Sequence, residues 1–305
     1  MPDNRVSNLR YIGLAVPDYD SERAFVGGSW GLREIAADDG TAYFAAAGSA
    51  NAYVLRLRKA AERRMDVIAF AVRDEDAVDT RARLVQGGGT ELICGPHRLD
   101  SPGAGYGFRF FDSDGRTVEV SSGVTERPAR ELGEGESIPA VLSHVVLHSP
   151  DIQKTVAFYE QFLGLRVSDW IGNFMCFLRC NTVHHCLAFI PGPASFNHAA
   201  FEMRGLDEMM RGVGRLLKEN AQLGWGPGRH TAGNNTFAYF KTPGGNVLEY
   251  TAEVARIDDD AWKPAVYPPT PEVMDQWGTG TAWGGGPQKL GAPVADPGLW
   301  VAPPI

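Results

Sequence analysis

The chain reads as an α+β protein made of two copies of one module, each built on mixed sheets. Three observations lead there. Runs with period-two alternation are interleaved with runs at helical spacing. The chain repeats itself once: 107–122 (GFRFFDSDGRTVEVSS) matches 237–252 (FAYFKTPGGNVLEYTA), an offset of about 130 residues. Between the copies lies 122–140 (SGVTERPARELGEGESIPA), rich in charge, Gly and Pro, which reads as a linker. Strands interleaved with helices that cover them give α+β modules.

Each copy opens on a strand followed by a helix, LRYIGLAVPDYDSERAF (9–25) against LSHVVLHSPDIQKTVAF (142–158). Pro17-Asp18 and Pro150-Asp151 mark the change, because Asp suits the positive end of a helix. In the second copy, alternating strands follow at 174–180 (FMCFLRC) and 184–190 (HHCLAFI), then a short strand, NHAAFEM. A second helix is expected over 206–222, with Met209, Met210, Val213, Leu216 and Leu217 at helical spacing. Its counterpart is 74–86, DEDAVDTRARLVQ. Both copies close on a strand–turn–strand, with Gly115 and Gly245 each four residues before a glutamate, Glu119 or Glu249. The division is 1–125, a first module without metal, and 138–290, a metal-binding catalytic module. The Pro/Gly-rich tail, 265–305, carries Trp277, Trp283 and Trp300 and reads as an irregular arm packed on the body or on a neighbouring subunit.

Bulk numbers bound the function. A length of 305 residues is enough for two domains with sizeable cores. The net charge of −8, with no basic stripe, argues against a nucleic-acid partner. No apolar run approaches the ~20 residues of a membrane helix. The polar N-terminus, MPDNRVSNLR, lacks the apolar core of a signal peptide, so a cytoplasmic location is expected. Cys94, Cys176, Cys180 and Cys186 form no C-x-x-C pair and read as reduced thiols acting as small hydrophobes.

The chemistry concentrates in the second copy. His144, His198 and Glu249 sit in three strand-like runs, LSHVVLHS, NHAAFEM and NVLEYTAE. Two imidazoles and one carboxylate occupy one face of an octahedral metal and leave three adjacent positions open, the arrangement that holds non-haem Fe(II) for oxygen chemistry. Val146, two residues past His144, faces the same side of its strand and borders the same space. Phe177 is a candidate for the apolar wall.

With these stand HH-C-L-A-F at 184–189, G-R-H at 228–230, Tyr239, and Glu249 after P-G-G-N-V-L. In this set and order the chain resembles the two-domain type I extradiol ring-cleavage dioxygenases of the vicinal oxygen chelate superfamily, over about 1–290. The resemblance implies four βαβββ units paired into two barrel-like domains, with metal only in the second. At the internal offset Tyr11 replaces His144 and Val67 replaces His198, while Glu119 remains. It further implies Fe(II), with Mn(II) as the alternative, held by His144, His198 and Glu249. His185 would be the acid/base group, since an imidazole titrates near working pH. Strand alternation lets only one of His184 and His185 point inward, and His185 fits the register of Ala188. His230 and Tyr239 would hold the catechol oxygens. Relatives commonly carry Asn-Asp two and three residues after the matching His; here Ala232 and Gly233 stand there, followed by Asn234-Asn235.

The expected reaction is meta-cleavage of a catechol by O2, in a homo-oligomer. The competing readings are a glyoxalase-type metal isomerase and a metal-free aromatic-binding protein of the same superfamily.

Overall fold

A computed structural model of the chain describes residues 4–258 and 260–304. The first half forms β1 (Asn8–Val16), α1 (Tyr19–Gly27), β2 (Arg33–Asp38), β3 (Thr41–Ala45) and β4 (Leu55–Lys59). It continues with β5 (Arg64–Ala71), α2 (Glu75–Gly87), β6 (Leu92–Arg98), β7 (Tyr106–Phe111) and β8 (Thr117–Ser122). The second half repeats that order: β9 (Val141–Ser149), α3 (Ile152–Leu163), β10 (Arg166–Ile171), β11 (Met175–Arg179) and β12 (Leu187–Pro191). Then come β13 (Ser195–Glu202), α4 (Leu206–Lys218), β14 (Gln222–Arg229), β15 (Thr236–Lys241) and β16 (Val247–Ala252). The chain is thus four βαβββ units in series. The tail adds β17 (Ala265–Tyr267), α5 (Pro271–Met274) and a 3-10 turn at Pro287–Leu290.

The units form two large mixed sheets with one topology. The first sheet runs β6-β7-β8-β5-β1-β4-β3-β2, and the second β14-β15-β16-β13-β9-β12-β11-β10-β17. In each unit the first and last strands pair in parallel, and the two units of a sheet meet through antiparallel first strands. The register repeats as well. Tyr11 lies opposite Ala69, which lies opposite Glu119; His144 lies opposite Ala200, which lies opposite Glu249.

The helix starts have local causes. The side chains of Asp18, Asp74 and Asp151 accept from the backbone amides of Ser21, Ala77 and Lys154, satisfying N–H groups that the first turn leaves unpaired. Helix α4 ends at Lys218, short of the expected 222, and its buried stripe is Met209, Val213 and Leu216. Met210 and Leu217, counted with that face in the sequence, are exposed. The linker is tied down by Glu208 of α4, which accepts from the Gly135 and Ser137 amides and the Ser137 hydroxyl. Cys176 and Cys186 are buried free thiols within the main core.

One apolar core runs through both halves. Trp30 stacks on Tyr250 with ring centroids 4.0 Å apart, and the Tyr250 hydroxyl donates to the Trp30 carbonyl at 2.6 Å. The halves also hold each other's hairpin turns. Glu22 of α1, buried, accepts from the Thr242 hydroxyl, the Gly244 amide and the Asn246 side-chain amide, and so grips the turn before Glu249. At the equivalent place Thr155 of α3 donates to Asp114 in the turn between β7 and β8. Gly115 and Gly245 occupy those two turns at φ +88° and +80°, a backbone region that favours glycine.

Candidate active site

The register of the second sheet assembles the site. His144 of β9, Ala200 of β13, Glu249 of β16, Tyr239 of β15 and Trp225 of β14 form one cross-strand row. The adjacent row contains His198 of β13, Val146 of β9, Ala188 of β12, Phe177 of β11 and Asp169 of β10. Cross-strand neighbours lie about 5 Å apart. The alanine between His144 and Glu249 leaves the space that their longer side chains fill.

Donor atoms of His144, His198 and Glu249 lie within 4.8 Å of one another, and all three side chains are buried. The second nitrogens are committed elsewhere. His144 Nδ1 is 3.2 Å from the Ser143 hydroxyl, and His198 Nδ1 bonds Asn197 Oδ1. That oxygen can only accept, so His198 carries its proton on Nδ1 and turns a lone pair inward on Nε2. Nε2 of His198 stands 3.0 Å from Glu249 Oε2, and Nε2 of His144 stands 3.4 Å from it. His198 Nε2 and both Glu249 oxygens nevertheless have no hydrogen-bond partner. Acceptors that converge without a donor fit a cation, and the N2O donor set suits a divalent first-row metal. Burial alone would raise the Glu249 carboxyl; positive charge on the His144 and His198 imidazoles outweighs it and brings the group down to about 2, so the carboxylate stays ionised where a cation stands beside it. Burial, outweighing the opposing pull of Glu249, holds His198 below the ordinary histidine range.

Beside the triad is a cavity of about 210 Å³, whose walls include His144, His198, His185, His230 and Tyr239. Val146 and Phe177 line it too, with Met175 and Ala232. His185 does not lie on a strand, as the sequence reading had it. It lies with His184 in the segment leading into β12, where alternation does not operate. Both rings are buried, and only His185 borders the cavity. His184 stands behind it, with Nε2 2.8 Å from Asp169 Oδ2 and Nδ1 3.0 Å from His185 Nδ1. The Asp169 carboxylate accepts from His184 Nε2–H, so His184 Nδ1 is the acceptor for His185 Nδ1–H. His185 Nε2 is left as a basic nitrogen. Burial and the neighbouring histidines place the His185 pKa well below the ordinary value. Gly233 passes against this pair at φ +78°, where a β-carbon would stand 3.0 Å from the His185 ring. The departure at Ala232-Gly233 therefore makes room for the two imidazoles.

His230 lies just past β14. Its Nδ1 donates to the Met274 carbonyl at 2.7 Å, so its Nε2 accepts from the Tyr239 hydroxyl at 3.0 Å. Burial first, and Glu249 second, push the Tyr239 phenol well above its usual range, keeping it protonated. Met274 belongs to the C-terminal arm, which the sequence left open between body and neighbour. The arm packs on the body: β17 extends the second sheet beside β10, and Val273, Met274, Pro287 and Leu290 wall the cavity. Sequence reasoning missed Asp169, His148, Asn197 and the arm residues. His148 had a legible signal, since 144, 146 and 148 alternate along one strand.

At the matching place in the first sheet, Arg109 stands opposite Glu119 as Tyr239 stands opposite Glu249. The guanidinium lies 2.8 Å from Glu119, and the Tyr11 hydroxyl donates to the same oxygen at 3.1 Å. A fixed cation thus answers the carboxylate there.

Residues 141–250 match the family model of the Glyoxalase/Bleomycin resistance protein/Dioxygenase superfamily. A crystal structure described as the Mn(II)-bound glyoxalase from Novosphingobium aromaticivorans is 49% identical, covers 97% of both chains and superposes with a TM-score of 0.95. The chain belongs to this superfamily, with the two-domain organisation of its extradiol dioxygenases. Metapyrocatechase 2 of Cupriavidus necator is 29% identical over 299 residues, 91% of this chain and 90% of that protein. Biphenyl-2,3-diol 1,2-dioxygenase of Paraburkholderia xenovorans is 27% identical over 277 residues, 84% of this chain and 91% of that protein.

Proposed function

We propose that this chain is an extradiol dioxygenase that uses Fe(II), or Mn(II) in its place, to open the ring of a catechol with O2. The observation that carries the proposal is the convergence of unpartnered His198 Nε2 and Glu249 oxygens, with His144, on a cavity that also holds His185, His230 and Tyr239. The metal, when bound by His144, His198 and Glu249, would supply chelation of the diol and the electronic route between ring and O2.

The chain's own groups do the rest. Tyr239 gives its proton to His230, so its oxygen lone pairs are free to accept from a catechol hydroxyl. His230 is kept in that tautomer by the Met274 carbonyl. His185 offers Nε2 as the proton acceptor and later donor, with Nδ1 anchored through His184 to Asp169. Val146, Phe177 and Met175 give the cavity an apolar wall that excludes water, which strengthens every polar contact in the site. Among the described residues no Asp, Glu, Lys or Arg side chain lines the cavity, which suits a catechol whose ring substituent is uncharged. Glu119, neutralised by Arg109, leaves the first module as scaffold without metal.

The test is anaerobic reconstitution with Fe(II) or Mn(II), followed by air and a panel of catechols. Oxygen uptake with a yellow ring-opened product is expected. Metal-loaded protein inert toward every diol would overturn the proposal. The 49% identical structure described as a glyoxalase favours a second reading, a metal isomerase. An isomerase turns over without consuming O2, so an oxygen electrode separates the two.

A further inference from the structure

Behind His198 a file of hydrogen bonds runs to the backbone, and the direction of every one can be read. The Pro193 carbonyl can only accept, so Ser195 spends its one hydroxyl proton there, at 3.0 Å. Toward His148 Nδ1, also 3.0 Å away, Ser195 must therefore accept, which puts the His148 proton on Nδ1. His148 Nε2 is then a lone pair and accepts from Asn197 Nδ2 at 3.2 Å. With its amide turned that way, Asn197 presents Oδ1 to His198 Nδ1–H. The last link leaves His198 Nε2 bare, facing Glu249.

We propose that His148 and Ser195 are positioning residues that, through Asn197, set the tautomer of His198 and so the metal affinity of the site. The inference rests on the reading of His144, His198 and Glu249 as metal ligands. Reversing any link would flip the Asn197 amide, offer its NH2 to His198 Nδ1, and move the His198 proton to Nε2, where it blocks the metal.

The ring of His148 is built in rather than incidental. It is buried on the ligand face of β9, four residues past His144. Gly192, at φ +155°, closes over it where a β-carbon would stand 3.0 Å from the ring. Its carbonyl accepts from Arg116 of the first module, which fixes the backbone.

The test titrates metal-free full-length protein with Mn(II) and reads free Mn(II) by electron paramagnetic resonance, with no substrate present. Asn197→Leu is expected to bind on the order of 10–100-fold more weakly. His148→Leu should lose about tenfold, and the double variant should be no weaker than Asn197→Leu alone, because both break one chain. His148→Gln, whose carbonyl can accept from Asn197, should restore binding to within a few-fold of the parent. A merely space-filling role would give no such rescue. Parent-like affinity in His148→Leu, multiplying effects in the double variant, or failure of the Gln rescue would each overturn the relay. Should His148→Leu not fold, Ser195→Ala decides: weaker binding supports the relay and parent affinity refutes it. Parent protein that takes up no Mn(II) at all would instead sink the metal reading beneath it.

Discussion

Nε2 of His198 and Oε2 of Glu249 stand 3.0 Å apart and share no hydrogen bond. Two buried acceptors at that distance, with no donor between them, are what the proposed metal site requires. Alanine at His144, His198 or Glu249 should therefore leave a folded protein that retains no stoichiometric metal and consumes no O2. Elemental analysis of the purified variants checks this, and full metal content in any of them contradicts the ligand assignment.

His185 makes a separable prediction. It touches the cavity but donates no ligand atom to the triad. His185→Phe should keep its metal and lose roughly 10²–10⁴ in kcat. Asp169→Asn, two bonds further back, should shift the pH dependence of kcat more than its size. Loss of metal in His185→Phe would move that residue from proton transfer to metal binding.

Tyr239→Phe removes the hydroxyl that donates to His230 Nε2. A drop of roughly tenfold in kcat is expected, about the worth of the one hydrogen bond that Tyr239 accepts from the catechol hydroxyl. Steady-state kinetics with one catechol will show it; unchanged kcat would reduce Tyr239 to packing.

The buried histidines predict acid sensitivity of the metal-free protein. His148 is held down to about 4, chiefly by burial and then by His198 and Arg116, and His185, His198 and His230 are lowered as well. An unfolded histidine takes its proton near 6.5. Between that value and about 4 the unfolded chain binds more protons than the folded one, so stability falls as pH falls through this window. Urea midpoints measured from pH 7 to 4.5 should decline steadily, and a flat profile would contradict the burial of these rings as neutral groups.

Arg109 tests the first module. Arg109→Met takes the hydrogen-bonded guanidinium from buried Glu119 and leaves it Tyr11 and the charge of Arg10, which should cost up to about 3–5 kcal/mol. Metal content should not change. Denaturant melts and elemental analysis on one preparation give both numbers.

How much of this was legible in the sequence follows from what each residue answers to. The triad was legible because the repeat placed Tyr11, Val67 and Glu119 at the same register as His144, His198 and Glu249, and strand pairing preserves register across a sheet. Arg109 was within reach by the same offset, since it aligns with Tyr239. His184 and His185 were misplaced onto a strand because the apolar run that follows them, Leu187 to Ile190, does form one. The bond from His184 to Asp169 spans 15 residues and two strands, and no local pattern encodes it. Met274 binds His230 through a carbonyl, a group every residue carries, so its identity announces nothing.

The reciprocal grip of each half on the other's hairpin bears on how such a polypeptide could be cut. Glu22 belongs to the first module, yet it braces the bend from which Glu249 projects. Severed from its forerunner, the trailing portion would keep all three ligands and lose the brace that aims one of them. A gene fragment encoding only the half that carries His144, His198 and Glu249 is thus an incomplete instrument, since the other half holds it in tune.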